Sequence, residues 1–333
     1  PYHLQGGDVT FQLGTAYFGC RDDQGHFAPE EFRTEALREE VKMIEVKLSQ
    51  GAKPSHGGIL PAAKLTPEIA KVRKVAMGHD VLSPPAHSAF DSPIGLLEFV
   101  NTLRTLSNGK PVGFKLCLGQ RAQFLAICKA MLETELYPDF ITVDGAEGGT
   151  GAAPLEYVNN VGEPLEAALV FVHNALVGVN VREKIRVIAS GKVATGFDLV
   201  EKIALGADMC NSARGMMMAA GCIQSKQCNA NTCPTGVATQ NPRLQRGLVI
   251  DDKKHRIAHF HENTIRSFLE LVGAMGLDHP SELQPYYLMR RIAQATVKPL
   301  SEIYDYLEPG QLLSKYIPND YKIHWELADP KKF

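Results

Sequence analysis

The chain carries no excess of either charge. Its 35 Lys and Arg nearly balance 37 Asp and Glu, a formal net charge of −2. With no block of like charge, it has no electrostatic basis for holding nucleic acid or an anionic membrane surface. No apolar run is long enough to span a bilayer: the longest, 167–181, is interrupted by His173 and Asn174. The cysteines number seven, an odd count that argues against a full disulfide framework and fits a reducing, cytoplasmic setting. No G-x-G-x-x-G opens a helix after the first strand, which weakens a dinucleotide-binding doubly wound sheet. The sequence starts at Pro1 rather than Met and shows no targeting-type leader, as expected of a piece of a longer chain that could carry an upstream membrane anchor.

What is present is led by three cysteines. Cys222, Cys228 and Cys233 lie in GCIQSKQCNANTCPTGVATQ with the spacing C-x5-C-x4-C. Structural zinc usually takes four ligands, often in C-x2-C pairs, and this stretch has three thiols and no such pair. Three thiolates suit a three-iron cluster, one per iron, and soft thiolates favour iron–sulfur assemblies. Pro234 follows the last thiol, as in ferredoxin-type loops. The plainer alternative is three ordinary cysteines, but neighbours rich in Gln, Asn and Thr are unlike core.

From residue 43 onward, short β-rich runs alternate with helical patterns. The runs are 43–49, 81–84, 112–117, 140–145, 186–191 and 207–212. Most are nearly continuous in apolar residues, as in strands covered on both faces of a parallel sheet. Thr66-Pro67 and Ser92-Pro93 read as helix starts, each a capping hydroxyl before a proline. Nearly every run ends in a polar or glycine-rich loop, the arrangement of an eight-stranded α/β barrel that builds its site at the C-terminal ends of its strands. Only six barrel strands are countable, so a (β/α)8 TIM barrel lacking its first two strands is expected. Residues 9–14 are a weaker seventh candidate that reads more like an excursion. The segment 261–276 reads as an amphipathic helix with Ile265, Phe268, Leu269, Val272 and Met275 on a core-facing side. Residues 1–280 are expected to form the barrel with the cysteine loop 222–233, and 281–333 an extension without a readable motif.

Several loops could carry chemistry. Gly148-Gly149-Thr150-Gly151 follows the run that ends at Asp144; its glycines would let backbone approach a flat or anionic ligand. Ser190-Gly191 and Ser212-Ala213-Arg214 end the last two runs, where α/β barrels commonly hold a phosphate. Arg214 has a rival role in a salt bridge. Lys115 sits inside an apolar strand, where burial is expensive without a partner; beside a flavin it would stabilise the reduced ring, and otherwise it snorkels at the rim. Lys53 and Arg73 offer cations for a dicarboxylate, although helix arginines are often merely solvated. His56 could titrate near neutral pH.

At QGAKP with GG-x-LP, EGGTGAAP and CNANTCPTGVATQ the chain resembles the flavin-binding synthase domain of glutamate synthase, and in particular stand-alone FMN-binding glutamate synthase family proteins. The resemblance covers residues 1 to about 280. It implies an FMN in an α/β barrel beside a [3Fe-4S] cluster on Cys222, Cys228 and Cys233. It further implies cofactor contacts from Lys115, Asp144, Gly148 to Gly151, Ser190-Gly191 and Ser212 to Arg214, and a hold on 2-oxoglutarate by Lys53 and Arg73. Where glutamate synthase resembles K-P-G-E-G-G-Q, this chain reads Lys53-Pro54-Ser55-His56-Gly57-Gly58-Ile59, which puts the identity of the 2-oxo acid in question.

The implied activity is reductive amination of 2-oxoglutarate or a related 2-oxo acid. Ammonia would come from solution or a glutaminase partner, and electrons from a ferredoxin-like or other protein donor. Two alternatives stand: an N-alkylglutamate synthase-type transferase with the same cofactors, and a non-catalytic electron relay.

Overall fold

The computed structural model describes residues 6–148 and 153–333. The chain opens with strand β1 (Val9–Leu13), helix α1 (Pro29–Ala36) and strand β2 (Val41–Lys47). A two-stranded ribbon follows, β3 (Ile59–Leu60) against β4 (Val81–Leu82), with helix α2 (Pro67–Arg73) between them. Helix α3 (Pro93–Leu106), strand β5 (Val112–Leu116), helix α4 (Arg121–Thr134), strand β6 (Phe140–Asp144), helix α5 (Leu165–Gly178), strand β7 (Arg186–Ser190), helix α6 (Gly196–Ala204) and strand β8 (Met209–Asn211) complete the alternation.

Strands β1, β2, β5, β6, β7 and β8 form one sheet in that order, and every pairing is parallel. Parallel neighbours joined by helical crossovers, in chain order, are the plan of a (β/α)8 barrel, six of whose eight strands lie here. All six strands end at one rim. The sequence put 81–84 in this sheet and 9–14 outside it, and both assignments are reversed. Pro84 and Pro85 follow β4 and have no N–H to donate, so only two residues pair and they do so in the side ribbon. Val9–Leu13 alternates in burial as an edge strand with one solvated face does.

Apolar helix faces cover the sheet. Leu96, Leu97, Val100 and Leu103 of α3, Phe124, Leu125 and Met131 of α4, and Leu169, Phe171 and Leu176 of α5 join Ile44, Phe114, Ile141 and Val187 in one core. The two caps read from sequence are formed: Thr66 accepts from the N–H of Ile69 and Ser92 from that of Gly95, each at 3.2 Å. A third, Thr195 with Asp198, makes a capping box that fixes the loop after β7. Glycine at 113 is needed for strand approach: a Cβ there would lie 2.1 Å from the Phe140 carbonyl oxygen.

Beyond β8 come α7 (Arg214–Ala220), the cysteine loop, α8 (Pro242–Gln245) and α9 (Ile250–Ala274). Helix α9 begins eleven residues earlier than the periodicity indicated, and its apolar stripe is narrower. Phe268 and Val272 are buried, whereas Ile265 and Leu269 are exposed, because α9 rests on α6 and α7 along a single line of side chains.

The remainder, with hairpin β9 (Met289–Ala293) and β10 (Thr296–Pro299) and helix α10 (Asn319–Leu327), is strapped over α4, α5 and α6. Lys129 donates to the carbonyls of Trp325 and Ala328 at 2.7 and 3.0 Å, and Tyr321 stacks on Phe171 with centroids 5.1 Å apart. An ionic knot ties the hairpin down. Arg290 binds Glu166 at 2.6 Å and also Glu201; Lys202 binds Glu166 at 3.2 Å and also Glu201; the Tyr304 hydroxyl donates to Glu166 at 3.1 Å. Burial raises the Glu166 carboxyl, but the Arg290 hydrogen bond and the Lys202 charge outweigh it and hold it below its usual value of 4.5. The knot should therefore be complete above that pH and weaken as pH falls. Arg290→Met leaves two carboxylates with one lysine and should cost about 2–3 kcal/mol, read as a lower urea midpoint and earlier proteolysis within 281–333. An unchanged midpoint would contradict the knot.

Candidate functional site

The inner face of the sheet is polar toward the rim. Cross-strand partners share a face, and the register pairs Gln12 with Glu45, Lys47 with Lys115, Lys115 with Thr142 and Asp144 with Ser190. Glu45 is buried at the centre of this face. It accepts from Gln12 at 2.5 Å and Thr142 at 2.7 Å, with the Lys115 ammonium 4.0 Å away. Lys47 stands one rung nearer the rim and donates to Gln50 at 3.1 Å. Burial, reinforced by the Lys115 charge, pushes its ammonium down to about 8. Lys115 stands out in the sequence as a charged residue inside an apolar strand. The same signal marks Glu45 and Lys47 in the run 43–49, two site residues absent from the sequence-based expectation.

Asp144 joins three loops. Its carboxylate accepts from the Gly51 N–H at 2.9 Å and the Ser190 hydroxyl at 3.2 Å, and burial raises its pKa. The loop after β2 is thereby pressed onto the end of β6. A Cβ at Gly51 would lie 2.0 Å from the Gly145 carbonyl oxygen, so only glycine allows this approach. Gly148 closes against Asp144; Gly149, Thr150 and Gly151 lie outside the described residues. Gly191 takes φ +142°, and Ser212 donates to the Val193 carbonyl at 2.8 Å, linking the loops after β7 and β8. Ala213 leads into α7, whose first residue is Arg214.

The loop after β2 also encloses a cavity of about 100 Å³ lined by Lys47, Ser49, Gln50, Lys53 and His56, among others. Lys53 is buried, which lowers its pKa, and it donates to the Gly57 carbonyl at 3.2 Å. The His56 ring lies edge-on to Tyr157, with Nδ1 2.9 Å from the Gly57 carbonyl oxygen. Arg73 is not brought to Lys53. Its guanidinium lies over the Phe18 ring, 4.6 Å from the centroid, and it does not line this cavity. Ile59 is half-exposed in β3, also away from the lining.

The cysteine loop docks on the excursion between β2 and β4. Lys64, in the turn after β3, donates to the Cys228 carbonyl at 2.9 Å, and Asn231 donates to the Ala63 carbonyl at 3.0 Å. Gln224, Lys226 and Asn231 adopt left-handed backbone, a constraint that non-glycine residues accept only where surroundings fix it. The Asn231 side chain takes hydrogen bonds from Thr239 and the Gln240 N–H, folding the loop back on itself.

All three thiols are free. The Gln224 N–H points at the Cys222 sulfur from 3.4 Å. At Cys233, burial raises the pKa, but the Thr235 hydroxyl and the N–H groups of Thr235, Val237 and Ala238 outweigh it and bring the thiol below its ordinary value. A sulfur that accepts backbone hydrogen bonds and leans toward thiolate, as Cys233 does, has the character of a metal-ligating thiol. Among the described residues no three His, Cys, Asp or Glu side chains converge on one metal ion.

As a whole, the rim offers Lys47, Lys115 and Lys53 against two buried carboxylates, Glu45 and Asp144, both engaged in hydrogen bonds. That donor set fits an anionic ring or phosphate together with a carboxylate-bearing ligand. Among the described residues no helix is long and apolar enough to cross a membrane.

A family model described as the conserved region in glutamate synthase matches residues 2–278. The glutamate synthase large subunit-like protein YerD of Bacillus subtilis is 38% identical over 291 residues, covering 87% of this chain and 55% of that protein. The archaeal glutamate synthase (NADPH) of Methanocaldococcus jannaschii is 35% identical over 242 residues, 72% of this chain and 47% of that one. A ferredoxin-dependent glutamate synthase 2 of Synechocystis is 33% identical over 240 residues, 71% of this chain and 15% of its own length. The chain thus spans about half the length of the first two relatives.

Proposed function

The chain belongs to the glutamate synthase family, and from that premise we propose that it is the flavin-bearing part of an iron–sulfur oxidoreductase that reductively aminates a 2-oxo acid of the 2-oxoglutarate type. What supports this is the Lys47–Lys115 rung beside the Lys53 cavity, together with a cysteine loop anchored through Lys64 on the same β2–β4 excursion that carries Lys53. When bound, FMN would supply hydride for the carbon of a 2-imino acid, and a [3Fe-4S] cluster would supply electrons one at a time.

The chain's own residues have distinct parts. Lys115, steadied by Glu45, would place positive charge beside the flavin ring. Asp144, Gly148, Ser190, Gly191 and Ser212 to Arg214 would line the cofactor, and Gly149 to Gly151 are assigned the same part. Lys53 would hold a substrate carboxylate, and Arg73, which lies over Phe18, would have to leave that ring to supply a second cation. Cys222, Cys228 and Cys233 would hold the cluster. Residues 281–333 would brace the helices behind the site. Ammonia would arrive from solution or a glutaminase partner, and electrons from a ferredoxin-like or other protein donor.

Anaerobic reduction of the flavoprotein followed by mixing tests the reading. Reoxidation by 2-oxoglutarate, or another 2-oxo acid, plus ammonia supports it, with the amino acid as product. Reoxidation by neither would remove it.

A further inference from the structure

The chain has no run of like charge, yet around the cysteine loop its charges are of one sign. Between Asp208 and Asp251 there is no Asp or Glu, while Arg214, Lys226, Arg243 and Arg246 fall in that stretch. The fold brings the last three and the head of α9 up to the thiols. Lys226 lies between Cys222 and Cys228. Gln245 donates to the Thr239 carbonyl at 2.9 Å, and a Cβ at Gly247 would lie 2.9 Å from the Thr235 carbonyl oxygen. Arg243 and Arg246 thereby flank the turn that follows Cys233. The Cε of Lys253, in the first turn of α9, lies 3.8 Å from a Cβ placed at Gly221, the residue before Cys222.

Lys226, Arg243 and Arg246 are exposed and enter no ion pair among the described residues. The first carboxylates after the loop are already answered: Lys254 binds Asp251 at 2.8 Å, Lys253 binds Asp252 at 2.9 Å, and the Arg256 charge also acts on Asp252. Beside these cations stand exposed apolar side chains. Ile223, directly after Cys222, is 66% exposed, and Val249 and Ile250 at the head of α9 are 55% and 72% exposed. An apolar centre with a charged rim is the anatomy of a protein-binding surface.

We propose that this face docks an acidic one-electron carrier protein, with its carboxylates against Lys226, Arg243 and Arg246 and its apolar contact on Ile223, Val249 and Ile250. Complementary charge steers such small, transient encounters. The proposal rests on the function above for what the partner delivers; where the partner binds stands on the charge and exposure of this face. One electron leaves the reduced carrier and enters the cluster assigned to Cys222, Cys228 and Cys233, and no bond forms or breaks. A nucleic acid is the other polyanion that cations attract. Between Asp208 and Asp251 there is no Phe, Tyr or Trp on which bases would stack, which favours the protein.

Isothermal titration of the full chain, carrying its cofactors, with an oxidised plant-type [2Fe–2S] ferredoxin tests the docking without turnover. Affinity should fall at least about tenfold when NaCl rises from roughly 20 to roughly 300 mM. Arg243→Glu combined with Arg246→Glu should weaken binding at least about tenfold at the lower salt. Lys226→Gln, a milder change, should weaken it in the same direction and serves if the double variant fails to fold. Dithionite, which needs no docking, should reduce every variant to the same extent as the wild type.

Affinity that is insensitive to salt and to these substitutions would overturn the proposal. So would a single-stranded oligonucleotide that binds more tightly than the ferredoxin, or variants that dithionite no longer reduces. Salt-sensitive ferredoxin binding without electron transfer would instead sink the iron–sulfur reading and leave the docking face standing. A dithionite-reducible cluster in a chain that binds no ferredoxin would do the reverse.

Discussion

Lys53→Met is expected to raise the KM for the 2-oxo acid by about 10- to 100-fold, with cofactor content unchanged. Lys53 is only 6% exposed, and burial lowers its pKa. Among the described residues its one hydrogen bond goes to the Gly57 carbonyl, so an ammonium with three donors keeps two for whatever enters the cavity. A charge-assisted hydrogen bond contributes about 1.5–3 kcal/mol, which sets the size of the effect. A reduced-flavin half-reaction titrated against substrate separates KM from the chemical step. Lys53→Arg should recover little, because a planar guanidinium on a longer stem does not reproduce the compact point charge of an ammonium. An unchanged KM in the methionine variant would remove Lys53 from the substrate.

The second large effect concerns stability. Lys47 titrates near 8 in the folded chain because burial and Lys115 oppose its charge, against an ordinary value of 10.5. The sign follows from proton counts. Between those two pH values the unfolded chain binds more protons than the folded one, so raising pH stabilises the fold. Below pH 8 the penalty is fully present, and it is relieved as pH climbs from 8 toward 10.5. At about 1.4 kcal/mol per pKa unit, discounted for the solvent that reaches the rim, the penalty at pH 7 is on the order of 2 kcal/mol. Lys47→Met should then be more stable than the wild type at pH 7 by roughly that amount, with the gain gone by pH 10. It should also lose activity, because a site that holds a charge against its preference trades stability for function. Urea unfolding at the two pH values checks this; a methionine variant less stable at pH 7 would contradict it.

Much of this was legible in the order of residues. Runs of Val, Ile, Phe and Leu covered on both faces marked four strands of the sheet, and Thr66-Pro67 and Ser92-Pro93 marked two helix starts that the caps then formed. The cysteine spacing pointed to a loop that the fold pins to the β2–β4 excursion through Lys64. What escaped was set by tertiary partners. Val9–Leu13 has a solvated face and reads weakly alone, yet five of its residues pair with β2. Val81–Leu82 looks like a strand of the sheet until the prolines after it are counted. Helix α9 extends back through polar residues 250–260 because it rests on α7, a contact no periodicity announces. Lys47 and Glu45 were hidden in a run read only for its apolar content. Arg73 stacks on Phe18, a partner 55 residues earlier that no local pattern indicates.

A flavin and an iron–sulfur cluster held together in this chain, as proposed, each leave a spectroscopic signature. Absorbance and low-temperature EPR spectra of the anaerobically purified, full-length protein test that proposal most directly. Flavin bands are expected together with the signal of an oxidised three-iron cluster, the latter lost in Cys233→Ser. Bound zinc in place of iron, or a protein with no chromophore, would contradict it.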